Sequence, residues 1–241
     1  MNIIPFKSFP VIAFTALACS LPVLPSASRA DTIINESFNA PLAASVWGNL
    51  PKGSATSSEG VLTLTGQGPA DKSAFSLIGT AVPSELLNFT KHQVEIRFTD
   101  LALGGDTAPE NRVFIVALTS DSNKAPAGNS ELRLRISGAG NIMLGISEDD
   151  NGVNTTLFGW NNSVVLPLKS VKLALTPSGA SLAVEDAGGA KSWNIPFTAP
   201  LTKWTNASPT LRLQIQRQPA EGDVKASLQG LKVESLNLPA K

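Results

Sequence analysis

The feature that most restricts the fold is an alternation of apolar and polar residues with period two, repeated along most of the chain. In "TLRLQIQRQ" (210–218), Leu211, Leu213 and Ile215 alternate with Arg212, Gln214 and Gln216. In "HQVEIRFTDL" (92–101), Val94, Ile96 and Phe98 oppose Glu95 and Arg97; in "ELRLRISG" (131–138), Leu132, Leu134 and Ile136 oppose Glu131, Arg133 and Arg135. Successive side chains of a strand point to opposite faces, so each segment makes one dry face and one wet face. Further strands are expected over 61–66, 112–120, 141–148, 155–160, 170–177, 180–187 and 228–238, separated by turn clusters such as "SGAGN", "TPSGA" and "EDAGGAK". Only "PSELLNFTK" (83–91) has helical spacing, and it is short. Roughly a dozen short strands at this spacing imply an all-β, antiparallel two-sheet sandwich or barrel. No repeat period or long linker appears, so residues 31–241 are expected to form one domain, with 106–111 and 121–130 as surface loops.

Residues 1–30 have the layout of a signal peptide: Lys7, an apolar run over 11–24, then Ser28 and Ala30 at the minus-three and minus-one positions of a cleavage site. The mature chain would begin near Asp31 and be secreted, periplasmic or held at the cell surface. Acylation of Cys19 in "ALAC" is the alternative, set against an apolar run that continues past it. Cys19 is the only cysteine, so the remaining 211 residues rely on a hydrophobic core rather than on disulfides. A chain of that size buries ~70% of the surface it exposes when unfolded. Without Lys7 and Arg29, seventeen basic and nineteen acidic residues remain, a net charge of −2. That balance offers no basic surplus for nucleic acid, and no second apolar run is long enough to span a membrane.

The stretch "INESFNAPLAASVWGNLPKGSATSSEGVLTLTG" sets Phe38, Trp47 and the strand Gly60-Val61-Leu62-Thr63-Leu64 in order, and "LKVESLNL" closes the chain. This succession resembles the concanavalin A-like lectin/glucanase jelly rolls, a superfamily that includes laminarinase-like hydrolases, polysaccharide lyases, legume-type lectins and laminin G-like modules. The resemblance implies a jelly-roll sandwich, a last strand returning beside the first, and a saccharide on the concave sheet. Fold likeness does not fix function. The polar halves of the three strands above nevertheless suit such a ligand, because Arg grips carboxylates through paired hydrogen bonds and Gln and Glu bond hydroxyls. Glu95, Arg97, Glu131, Arg133, Arg135, Arg212, Gln214 and Gln216, with Trp160 as a stacking platform, are the candidate ligand-binding residues. A solvated face carrying cross-strand ion pairs is the plainer alternative. Trp47 is expected in the core; Trp193 and Trp204 lie near polar turns, as Trp160 does.

Catalytic patterns are incomplete. A retaining laminarinase-like hydrolase needs two carboxylates about 5–5.5 Å apart, which its family supplies as E-x-D-x-E or E-x-D-x-x-E. Only "GISEDDNGVNTT" (145–156) starts that way, at Glu148 and Asp150, and the next glutamate would fall at Gly152 or Val153. Asn151-Gly152 is a hairpin-turn signal, so these acids are expected at a solvated tip. Against a calcium loop, Ser147 stands at the first ligand position and Phe158 at the last, so the bidentate glutamate is missing. A looser calcium site recruiting Asp149 and Asp150 is the alternative to a plain turn; no other cofactor is implied. "NSELRLR" (129–135) resembles the R-[ST]-E-L-R strand of alginate-lyase-type jelly rolls, with Asn129 in place of Arg. Those lyases also use a histidine within Q-[IV]-H and a tyrosine. Here "QIQ" carries Gln216 where that histidine belongs, and the chain has no tyrosine. The single histidine, His92, opens a strand and is expected as an exposed polar residue. Zinc, nucleotide and serine-hydrolase motifs are absent. The sequence therefore points to an exported, non-catalytic carbohydrate-binding or cell-envelope module with a polysaccharide or glycan as partner. The alternatives are a polysaccharide-active enzyme with dispersed catalytic residues and a structural or adhesive domain without a small ligand.

Overall fold

The structure is a computed structural model that describes residues 30–120, 130–147, 154–162, 164–198, 201, 204 and 207–238. Among them the regular elements are fifteen strands and two single turns of 3-10 helix. One sheet runs, in spatial order, β13 (Gly189–Pro196), β12 (Gly179–Asp186), β11 (Leu168–Thr176), β6 (His92–Gly104), β15 (Val224–Asn237), β4 (Val61–Gly66) and β3 (Ser54–Ser58), and β1 (Ala30–Glu36) also pairs with β15. The other runs β10 (Asn154–Asn162), β9 (Asn141–Ser147), β8 (Glu131–Ser137), β7 (Arg112–Thr119), β14 (Thr210–Arg217), β5 (Ala74–Thr80) and β2 (Trp47–Lys52). All pairings are antiparallel. The fold is an antiparallel two-sheet sandwich, one of the two architectures that the alternation implies, with the jelly-roll layout that the resemblance implies, and the last strand does return beside the first.

The apolar halves of the alternating strands meet between the sheets. Val94, Ile96 and Phe98 of β6 face Phe114 and Val116 of β7, Leu132, Leu134 and Ile136 of β8, and Leu211, Leu213 and Ile215 of β14 in one buried cluster. Phe98 and Phe114 touch edge to face across the gap, centroids 5.8 Å apart. Trp47 is buried in this core as expected, and Trp204 is fully buried. Trp193 packs, partly buried, against Phe158 with centroids 5.5 Å apart.

Strands β1, β2, β3, β5 and β13 were not among those expected from the pattern. In β5 the residues Phe75 and Leu77 are apolar on the outward side, so the alternation disappears. β3 ("SATSS") has no large apolar residue, and β13 starts inside a Gly-Gly turn signal. The helical spacing of 83–91 yields only one 3-10 turn, Glu85–Leu87. Asn88 ends it. The buried carboxamide accepts from the Thr90 N–H (3.0 Å) and hydroxyl (2.7 Å) and donates to the carbonyls of Trp204 (2.7 Å) and Ala207 (3.0 Å). The chain is thereby tied to a distant segment, with the Phe89 and Trp204 rings in tilted contact, centroids 4.7 Å apart.

β13 is an edge strand, and an inward lysine protects it from pairing with another molecule. Lys191 reaches the buried Asp186 carboxylate at 2.7 Å, and the same carboxylate accepts the N–H groups of Val165 (2.8 Å) and Gly188 (2.7 Å). The Lys191 hydrogen bond, then the Val165 N–H, hold the Asp186 carboxyl below its ordinary value against the opposing effect of burial. A carboxylate with a depressed folded pKa stabilises fully above its unfolded value, near 4, and that stability is lost as pH falls below it. Asp186→Asn is therefore expected to lower the denaturation midpoint at neutral pH and to flatten its decline below about pH 4. An unchanged acid limb in a urea-midpoint series would remove Asp186 from that role.

Candidate ligand-binding face

The sequence-derived candidates separate into two groups. β8 and β14 flank β7 in one sheet, so Glu131, Arg133, Arg135, Arg212, Gln214 and Gln216 share one outer face. β6 belongs to the other sheet, and Glu95 and Arg97 lie on the opposite outer face of the sandwich. Alternation gives facing but not sheet membership, and the three strands look alike in sequence because each is half-buried. Glu95 and Glu131 therefore do not face each other as a carboxylate pair. Glu95 is instead the node of an ion-pair ladder: it bridges Arg97 and Lys172 (2.8 Å), while Glu234, directly across from it on β15, pairs with Lys232 (2.8 Å). This face thus carries ion pairs of the kind the plainer alternative describes.

The register of the second sheet gives its outer face a definite pattern. One transverse row reads Gly79, Arg212, Ala117, Arg133, Gly145 across β5, β14, β7, β8 and β9. The row beside it reads Leu77, Gln214, Ile115, Arg135, Met143. In the first row only the two arginines carry side chains longer than a methyl group. Glu131 stands in the next row, opposite Thr119, and links the two arginines: one carboxylate oxygen accepts from Nη2 of Arg212, the other lies 2.9 Å from Nε of Arg133. Beneath, Val113, Ile115 and Ala117 form a small buried apolar cluster of their own.

The arginines of this face are less exposed than the cations of the other. The side chains of Arg133 and Arg212 are 27% and 22% exposed, against 47% for Arg97 and 46% for Lys172 on the opposite face. Burial, then the neighbouring Arg133 charge, lowers the Arg135 guanidinium from its ordinary value, with Glu131 opposing. Nε of Arg212 is buried and has no partner among the described residues. Two guanidiniums thus share one carboxylate, with the Arg135 guanidinium near enough to feel both charges, over an apolar floor. Such a surface can grip a hydroxylated ligand that carries negative charge.

The remaining candidates fall elsewhere. Trp160 lies on β10, and its side chain is outside the described residues, as are Glu148, Asp149 and Asp150. The flanking β9 and β10 do pair antiparallel, with Ser147 opposite Asn154. His92, expected as exposed, is half-buried at the start of β6, where its N–H donates to the Asn88 carbonyl at 3.0 Å. Among the described residues no group of three or more metal-ligating side chains is present, and no helix is long and apolar enough to cross a membrane. Sequence reasoning missed Ala117, Gly79 and Gly145, the small positions that give the arginine row its room; only the register could identify them.

No family model and no curated protein matches the chain. Solved structures do match at the level of fold. Lectin UEA-II in complex with galactose is 13% identical over 85% of this chain and 98% of that one, with a TM-score of 0.57. A family 7 alginate lyase, A1-II', in complex with substrate is 11% identical over 78% and 83%, with a TM-score of 0.54. LamAcat from Zobellia galactanivorans is 10% identical over 84% and 96%, with a TM-score of 0.51. The chain has a concanavalin A-like fold, in agreement with the resemblance carried by Phe38, Trp47 and the strands that follow.

Proposed function

We propose that the chain is an exported, non-catalytic glycan-binding module that lays its saccharide across β14, β7 and β8. The observation that carries this reading is the Gly79–Arg212–Ala117–Arg133–Gly145 row: two arginines standing in a strip otherwise free of long side chains. Structures of like fold include a galactose-bound lectin and a substrate-bound alginate lyase, which makes a saccharide the natural class of ligand to test first. The non-catalytic part of the reading rests on chemistry. Glu131 is engaged by two arginines and so is poorly placed to move a proton. Gln216 stands where the lyase-type histidine belongs, and the chain contains no tyrosine.

The test is a pull-down on immobilised neutral and acidic polysaccharides, followed by a glycan array. The native protein is expected to bind at least one, and Arg133→Ala to bind it about tenfold more weakly, the cost of one charge-assisted contact of ~1.5–3 kcal/mol. Arg97→Ala, on the opposite face, should bind as the native protein does. Binding to no glycan at all would reject the reading.

A further inference from the structure

We infer that Glu131 is a specificity-determining residue: an internal counter-anion that occupies the anion-gripping ends of Arg133 and Arg212 and so restrains the affinity of this face for anionic saccharides. This rests on the glycan-binding reading above and adds to it the role of one residue and the class of ligand it discriminates.

The geometry is that of a ligand site already holding a carboxylate. Arg212 comes from β14 and Arg133 from β8, and β7 between them contributes only the methyl group of Ala117 at that row. Both guanidiniums converge on the two oxygens of a single carboxylate from the neighbouring row, opposite Thr119, whose side chain is 11% exposed. A saccharide carboxylate or sulfate ester arriving at this row meets the same donors, because a guanidinium recognises either group through paired N–H bonds. It also meets the Glu131 charge, mostly buried, where like charges are screened less than in open solvent. Anionic ligands must therefore displace Glu131 or share the donors with it, whereas a neutral saccharide bears no such penalty. Glu131 also holds the two arginines in register, and the two roles make opposite predictions when its charge alone is removed.

Glu131→Gln keeps the shape and removes the charge. Polygalacturonate supplies carboxylates, dextran sulfate supplies sulfate esters, and dextran supplies neither. Affinities for all three are measured at two salt concentrations for the native protein, Glu131→Gln and Glu131→Met, with thermal unfolding to confirm the fold. The expected result is about a tenfold gain for polygalacturonate, dextran sulfate or both in either variant, with a steeper loss of binding in high salt and no gain for dextran. A gain confined to one polyanion identifies whether carboxylates or sulfate esters are the group excluded. If the native protein binds these polyanions and the variants bind them equally or less well, Glu131 only positions the arginines and the inference is overturned while the glycan-binding reading stands. If neither the native protein nor the variants bind any glycan, both fall together.

Discussion

The triple replacement Glu131→Met, Arg133→Met, Arg212→Met is expected to fold with a melting temperature equal to or above that of the native chain, and to bind the polysaccharide retained in the pull-down at least 100-fold more weakly than Glu131→Met does. The two halves of this expectation come from different physics. The Glu131 carboxylate is mostly withdrawn from water and, among the described residues, is paired with the two arginines that touch it. Replacing a desolvated ion triad with unbranched apolar side chains of similar length removes the charges together, and such exchanges are neutral or stabilising by ~1–4 kcal/mol. The new methionines would extend the Val113, Ile115 and Ala117 cluster beneath them. Binding would lose two charge-assisted contacts, together ~3–6 kcal/mol, which is where the 100-fold bound arises. Calorimetric unfolding and titration with the polysaccharide retained in the pull-down measure both halves. Native-like affinity in the triple variant would move the ligand off this face.

The alternation was enough to give the fold class and most strand positions, since burying one face of each strand leaves few other architectures. It gave β4 (Val61–Gly66) to the residue, and β7, β8, β9, β11, β12 and β14 to within two residues at either end. It failed where the physics of the pattern fails. β5 is apolar on both sides because its outward residues Phe75 and Leu77 are also apolar and half-buried, and β3 is too polar for the pattern to show. The short run at 83–91 has helical spacing because Leu87 and Phe89 are both buried around a single turn, closed by the Asn88 hydrogen bonds to Trp204 and Ala207. Those bonds join residues more than a hundred positions apart, and nothing local encodes them.

The candidate face was half legible. Six of the nine proposed residues share one outer face because β8 and β14 sit on either side of β7. Glu95 and Arg97 have the same local pattern and lie on the other sheet, so facing was correct while grouping was not. Strand order is set by crossovers, and alternation within one strand carries no information about them. The third layer of the site, the small residues of the arginine row, requires register across five strands. Register follows from turns and bulges as well as from side chains: the β8–β9 hairpin turns on Gly140 at φ 81°, where a Cβ would come within 2.1 Å of the Val164 carbonyl oxygen.

The same alternation carries one consequence for stability that is larger than any on the binding face. Continued from Leu211, Leu213 and Ile215, it sets Arg217 on the apolar side of β14, and the structure buries this residue completely. Among the described residues no carboxylate forms an ion pair with it. The guanidinium is held instead by backbone carbonyls, donating to Gly222 (2.5 Å), Gly68 (3.1 Å), Pro69 (2.6 Å) and Lys72 (3.0 Å). It therefore clamps the loop after β4 to the loop after β14 and closes one end of the sandwich. Arg217→Met fills the space but leaves those acceptors without their donor, at ~1–3 kcal/mol for each one that cannot turn to water. With two of the four so stranded, the loss is about 4 kcal/mol, at the upper end of single substitutions, and for a chain of this size a fall in Tm of roughly 8–16 °C. Arg217→Lys should recover little of it, because one ammonium carries three donors from a single point and cannot span carbonyls of two loops. Chemical denaturation of both variants measures this, and a loss below about 1 kcal/mol in Arg217→Met would mean that the loops are closed by other contacts. Saccharide affinity at the arginine row should be unchanged in the folded fraction, since Arg217 points into the sandwich and Arg212 away from it.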